Sequence, residues 1–122
     1  MSLPKSAEHV IAAIIELTPQ IRYAALASGQ DVSMHQRARV SRASAGDSDR
    51  FEELLVNPAL LTLARQRGEI DCRGLRYLVV GYGSFDQLVL AWRDGHASIA
   101  FERGADPASH VEAIVEILAA NA

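Results

Sequence analysis

Three short apolar segments that follow one another in the second half of the chain restrict its fold more than any other feature. Residues 83–86 supply turn chemistry between the first two segments, and Asp94-Gly95 is a strong two-residue hairpin signal between the second and the third. Connections this short cannot cross over a sheet, so the segments cannot form a parallel βαβ unit. The pattern therefore predicts three consecutive antiparallel strands at residues 75–82, 87–92 and 97–102.

The first part of the chain predicts a helix followed by a hairpin. Ser6 is a suitable N-cap for a helix that runs to about Thr18, and its apolar residues recur at helical spacing. Residues 21–28 and 32–40 have the pattern of strands, with a glycine-containing turn between them. The second of these strands alternates apolar and polar side chains, which is typical of a sheet with one wet face or of an edge strand.

Two further helices are predicted from their capping residues. Asp49 and Glu52 resemble a capping box at the start of a middle helix, after a loop at residues 41–48. Asn57-Pro58 predicts a kink or short break in that helix, and Gly68 suits its C-terminal cap. Asp106-Pro107 predicts the start of the last helix.

The resulting order is α-β-β-α-β-β-β-α. It predicts an α/β sandwich (α+β) in which a five-stranded antiparallel sheet carries helices on both faces, the first and last on the same face. The length of 122 residues predicts one domain over residues 1–122, with its core at about 6–120.

The middle helix has more apolar surface than one sheet face requires. Its second segment carries apolar side chains spread over roughly 160° at about 100° per residue, whereas packing on one face needs a stripe of only about 100°. We expect the excess to form a second contact surface. The residues concerned are Leu60, Leu61, Leu63 and Ala64.

Composition excludes several classes of function. The net charge of −3 argues against a dedicated nucleic-acid or anionic-membrane binder, which is usually basic. The longest mostly apolar stretch, residues 10–17, is too short to span a bilayer, and the N-terminus lacks signal-peptide features. The single cysteine, Cys72, cannot form an internal disulfide and fits a reducing compartment. We expect a cytoplasmic protein without membrane insertion.

The chemically active residue types form no catalytic or metal-binding pattern. Cys72 has no histidine within ten residues to activate it, and no two histidines have helical metal-ligand spacing. Gly81-Tyr82-Gly83 lacks the third glycine and the following helix of a dinucleotide loop, so a β-turn is the better interpretation. Glu52 and Glu53 are interpreted as acids favoured at a helix start. We expect no cofactor, no metal and no enzymatic activity.

A small basic patch on the second strand is a candidate docking site. Arg37 and Arg39 share one face of that strand, and Arg42 follows it. One interpretation is a solvated sheet edge that blocks aggregation. The other is docking of an acidic partner surface or anionic ligand through exposed guanidinium groups.

In its order of elements, two hairpins and capped last helix, the chain resembles the roadblock/dynein light chain family, a group within the profilin-like α/β sandwiches. The resemblance implies a homodimer formed by the middle helix and the third strand. That strand contributes Tyr77 and Val79 beside the four helix residues named above. It also implies an adaptor or regulator that binds a small Ras-like GTPase or another protein partner. The polar second strand and the Asn57-Pro58 break depart from the family pattern.

The sequence thus predicts a non-catalytic homodimeric adaptor or regulator. The alternative is a small-molecule sensor domain of the profilin-like type, with a pocket between the sheet and a helix. An adaptor should expose an apolar patch beyond its dimer surface, whereas a sensor or an enzyme should show a concave pocket with convergent polar groups.

Overall fold

The computed structural model describes residues 7–38, 40 and 45–121, and it has the predicted order of elements. A π-helical turn, Glu52–Val56, joins α2 to α3, and a 3-10 turn, Pro107–His110, leads into α4. The helices are α1 (Ala7–Ile15), α2 (Gly46–Phe51), α3 (Asn57–Asp71) and α4 (Val111–Ala120). The strands are β1 (Ile21–Ser28), β2 (Asp31–Gln36), β3 (Leu78–Gly81), β4 (Asp86–Trp92) and β5 (Gly95–Phe101).

The five strands form one antiparallel sheet in the order β2-β1-β5-β4-β3. The β4–β5 hairpin closes where Trp92 pairs with Gly95, so its two-residue turn is Arg93-Asp94, one residue earlier than the predicted Asp94-Gly95 turn. The β3–β4 connection is a longer turn at residues 82–85, with Gly81 paired to Asp86. The predicted meander and the five-stranded antiparallel sheet are confirmed. Within the described residues, β2 and β3 are the two edges of this sheet.

One face of the sheet is covered by α1 and α4 and forms a dry core. Ile14 of α1 and Ile114 of α4 meet Ile99 and Phe101 of β5, and all four are at most 1% exposed. Burial of a large aliphatic side chain stabilises by about 1.5–3 kcal/mol, so this face holds most of the apolar stabilisation. The prediction that the first and last helices share one sheet face is confirmed.

The middle helix, residues 46–71, covers the opposite face, and its inner side is largely polar. From Glu52 onward its buried positions are Glu53, Asn57, Leu61 and Gly68, of which only Leu61 has a large apolar side chain. Phe51, the last residue of α2, is 56% exposed. The inner side is polar because the strands beneath this helix present polar side chains, which need polar partners.

The middle helix is not broken at Asn57-Pro58. It runs without interruption from Gly46 to Asp71, and Asn57 lies inside it with a buried side chain instead of capping a new segment. Proline in a helix interior lacks an N–H donor, and its ring crowds the carbonyl of the preceding turn. Here the wider π turn directly precedes Pro58, which accommodates that local mismatch.

The middle helix also extends past Gly68, which is not its C-terminal cap. The Gly68 carbonyl accepts the N–H groups of Cys72 and Gly74, so the chain turns back closely beside it. A Cβ at Gly68 would lie 2.8 Å from the oxygen of Gly74. Glycine is therefore required here by close packing of the reversed chain.

Other element boundaries differ from the predictions by a few residues. β2 ends at Gln36 and not at residue 40, and β3 begins at Leu78 and not at residue 75. Of the predicted loop at 41–48, residues 41–44 lie outside the described residues, and a helix has already begun at Gly46. Asp106 provides no side-chain cap for the last helix, which begins through the Pro107 turn. No helix in residues 7–38 or 45–121 has the length and apolar character needed to cross a membrane.

Candidate functional site

A buried carboxylate lies between the middle helix and the sheet. Glu53, in the π turn, is 1% exposed. Its Oε2 accepts hydrogen bonds from the hydroxyl groups of Tyr23, at 2.8 Å, and Ser98, at 2.6 Å. Its Oε1 accepts one from the Asn57 amide at 2.9 Å and lies 2.7 Å from Nε2 of His96. These five residues are called the Glu53 network below.

Strand alternation and a β-bulge place the sheet residues of this network. His96 and Ser98 are two apart on β5, so they point to the same face of the sheet. On β1 the pairing with β5 slips by one residue around Arg22, and such a bulge re-aims the neighbouring side chains. Tyr23 therefore points to the same face as Ser98. Glu53 is thereby held by two adjacent strands at once.

The surroundings of Glu53 favour its ionised form. Burial alone raises the pKa of a carboxyl group, but hydrogen bonds from His96, Ser98 and Tyr23 outweigh that effect and lower the Glu53 pKa below its ordinary value. Burial and the adjacent carboxylate raise the pKa of the Tyr23 hydroxyl, so it remains a protonated donor. The network is therefore an anion surrounded by donors.

Gln87 extends the network on β4. Its Nε2 donates to the Ser98 hydroxyl at 2.7 Å, and this direction follows because Ser98 already donates to Glu53. Among the described residues, Oε1 of Gln87 and Oδ1 of Asn57 have no protein donor. The polar layer thus spans three strands of the sheet.

An open cavity of about 280 Å³ lies beside the network, lined by Glu53, His96, Arg65 and Asp94 among others. Its acidic groups are engaged with neighbours. Asp94 accepts from the Ser28 hydroxyl at 2.6 Å, and Glu53 accepts the donors described above. In the part of the chain that the structure describes, no group of three or more His, Cys, Asp or Glu side chains could hold a metal ion. Because these acidic groups are already paired, the cavity is less suited to a ligand site of the sensor type.

The outer side of the middle helix is apolar and exposed. Phe51 and Leu55 are 56% and 58% exposed, and Leu63 and Ile70 are 67% and 75% exposed. These four residues are called the outer stripe. Val79 on the edge strand β3 is also exposed. Contiguous exposed apolar side chains of this size mark interaction surfaces, so the outer side of this helix is a candidate contact surface for a second chain.

The residues predicted for a dimer contact are divided between the inside and the outside of the molecule. Leu63 and Val79 are exposed, and Leu60 and Ala64 are half-buried. Leu61 is buried on the inner side of the helix. It therefore does not reach the outer surface, contrary to the prediction. Tyr77 precedes β3 and packs against the dry core. The apolar residues of the helix are therefore divided between its two sides, with Leu61 on the inner side.

The predicted solvent exposure of Arg37 is wrong. Its side chain is half-buried, and its guanidinium group donates to the carbonyl oxygens of Ile21 and Ile15, both at 2.7 Å, and of Thr18 at 3.1 Å. β2 has ended by this point, so strand alternation no longer sets its direction, and Arg37 instead caps carbonyls after α1. Arg39 and Arg42 lie outside the described residues. The docking role of the three arginines stays a prediction.

Sequence reasoning missed the pairing of Glu53 with His96. Glu53 was interpreted as a helix-start acid, and no partner was predicted for His96. A signal was present on β5, where polar His96 and Ser98 alternate with apolar Ala97 and Ile99. Such alternation predicts one polar face. The helix that covers this face needs matching polar residues on its inner side.

Comparisons with known proteins agree on the fold. No family model and no curated protein matches the sequence. The roadblock/LC7 domain from Streptomyces avermitilis is similar with a TM-score of 0.71 and 19% identity, over 92% of this chain and 91% of that one. The gliding protein MglB from Thermus thermophilus gives 0.65 and 18%, over 92% and 82%. MglB in a tetrameric arrangement gives 0.65 and 15%, over 98% and 95%. The predicted resemblance to roadblock proteins is thus confirmed at the level of the fold.

Proposed function

We propose that this protein is a non-catalytic homodimeric adaptor or regulator that binds a small Ras-like GTPase. The observation that carries the proposal is the arrangement of side chains on the middle helix. A carboxylate faces the sheet, and the apolar outer stripe faces solvent. A helix arranged this way gains stability when a second surface covers its apolar side.

A second copy of the same chain is the partner that fits this surface best. The outer stripe lies on the helix that covers the sheet next to the β3 edge, and an uncovered edge strand is a template for pairing. A two-fold axis would place stripe against stripe and edge against edge. Two copies of the four side chains offer on the order of 10 kcal/mol of apolar burial, against an association cost of about 4–15 kcal/mol. Pairing of the edge strands would therefore decide whether the dimer is stable.

The dimer is tested by charging the outer stripe. We expect Leu63→Glu to convert a particle of about twice the 13.2 kDa chain mass into a monomer, because a carboxylate would be buried without a partner at the contact. Val115→Glu is the matched control, since Val115 is an exposed apolar residue on α4, across the sheet. Light scattering at micromolar concentration measures both. A monomeric wild type, or equal loss in both variants, contradicts the proposal.

Binding of a Ras-like GTPase is supported by the fold. The solved structures of this fold include the gliding protein MglB, and the family that the sequence resembles includes regulators of such GTPases. The paired polar groups of the 280 Å³ cavity leave the sensor alternative with less support.

A further inference from the structure

We propose that Glu53 is a positioning residue for partner binding. Its buried carboxylate sets the rotation of the middle helix on the sheet, and that rotation holds the outer stripe in the orientation that a second copy recognises. The inference rests on the proposed homodimer and adds the device that controls its affinity.

The first argument is that the Glu53 contacts with two central strands are directional, whereas the apolar contact of Leu61 is not. Along its inner side, Leu61 makes an apolar contact and Gly68 a close backbone approach, and hydrophobic contact tolerates rotation. Glu53 accepts hydrogen bonds from β1 and β5 at 2.6–2.8 Å. Bonds to an ionised group at these lengths are strong and angle-dependent. Donors on two strands therefore fix the rotation of the helix about its axis.

The second argument is the position of Glu53 inside the π turn. A π turn holds one more residue than an α turn. It therefore rotates the side chains before it by roughly 100° about the helix axis relative to those after it. Phe51 precedes the turn, whereas Leu63 and Ile70 follow it. The three residues share the exposed side of the helix only with the π turn in place. The bonds of Glu53 hold this turn against the sheet.

The third argument is that an apolar residue could fill the same space. The dry core on the other face shows that this chain can cover a sheet with aliphatic side chains. A buried polar group at such a site costs stability unless every bond is made, and a defined geometry is one gain that such groups bring. In this structure the geometry determines where the outer stripe points.

The test compares the dimer dissociation constant among variants that remain folded. Tyr23→Phe removes one hydroxyl donor and keeps the ring, and Glu53→Gln removes the charge and keeps the side-chain shape. We expect a dissociation constant raised about threefold or more by Tyr23→Phe and about tenfold or more by Glu53→Gln. Analytical sedimentation measures it, and circular dichroism verifies that each protein is folded.

Two controls separate positioning from general loss of stability. Glu112→Gln makes the same chemical change at an exposed carboxyl group on α4, across the sheet from the network. Ile114→Val lowers the melting temperature from the dry face, away from the network. Both variants should have a dimer dissociation constant within about twofold of the wild-type value.

The possible outcomes distinguish this inference from the proposed dimer. A wild type that is monomeric at all concentrations overturns the proposed function. A dimeric wild type with folded Tyr23→Phe and Glu53→Gln variants of unchanged affinity overturns the positioning role alone. If Glu53→Gln does not fold, Tyr23→Phe decides. An equal weakening by Ile114→Val would also overturn the inference, because stability alone would then explain the effect.

Discussion

A carboxylate is kept in the interior of a protein only when donors replace the water it has lost. Glu53 has hydroxyl donors on one oxygen and nitrogen donors on the other. Arg37 shows the reverse case, a cation that donates to the carbonyl oxygens of Ile15 and Thr18 at the end of α1 and just after it. At the scale of the residue, charged side chains here act as structural ties between elements.

The lowered pKa of Glu53 predicts an acid-sensitive contribution to stability. Because the folded pKa lies below the ordinary value of 4.5, this contribution is fully present above that value and is lost as the pH falls through the folded pKa. We expect wild type to lose on the order of 1 kcal/mol more unfolding free energy than Glu53→Gln between about pH 6 and about pH 3. Urea denaturation at stepped pH measures this difference. Parallel pH profiles for the two proteins would contradict the prediction.

At the scale of the element, strand pairing depends on how closely backbones approach. Gly95 begins β5, where a Cβ would lie 1.8 Å from the carbonyl oxygen of Ala27 on β1. The same residue closes the β4–β5 hairpin opposite Trp92. One glycine therefore serves both the turn and the contact between two central strands.

Substitution of this glycine should weaken the centre of the sheet. We expect Gly95→Ala to reduce the unfolding free energy by about 2 kcal/mol or more, because overpacking forces the backbone of β1 to move. Gly83→Ala is the control, since a Cβ there would meet nothing within 4 Å, and it should cost about 0.5 kcal/mol or less. Chemical denaturation of both variants measures the change. Equal stabilities would show that the β1–β5 contact adjusts freely.

At the scale of the whole molecule, the sheet separates two kinds of surface. α1 and α4 cover an apolar core on one face of the sheet. On the other face the middle helix packs through polar side chains and leaves apolar side chains exposed. This asymmetry makes one side of the molecule suited to association.

A Ras-like GTPase should bind the dimer and be guided by charge. We expect the double substitution of Arg39 and Arg42 by Glu to slow association with the GTPase severalfold and weaken its salt dependence, since rim charges act mainly on encounter. Arg103→Glu, an exposed charge elsewhere, is the control. Surface-based kinetics at two ionic strengths, with GDP and with a non-hydrolysable GTP analogue, measures it. An unchanged association rate would leave the patch as a protected sheet edge.

The sequence alone determined the antiparallel meander, the order of the elements and the pairing of both short hairpins. These follow from local rules, since a two-residue turn before Gly95 or a proline at a helix start acts on its immediate neighbours. The first and last helices could also be predicted from the sequence, because α1 and α4 each bury one apolar stripe. Strand ends were harder to predict, because β2 ends where the Arg37 side chain meets carbonyls of an earlier segment.

Only the tertiary structure decided which side of the middle helix faces the sheet. Its apolar residues spread too widely to choose a side, and Glu53 meets His96 and Ser98 across more than forty residues of sequence. That meeting depends on the side-chain alternation of β5 and on the position of the π turn together. The physical reason is that a charged residue can be buried only where the fold brings donors to it, and those donors lie on strands far away in the chain.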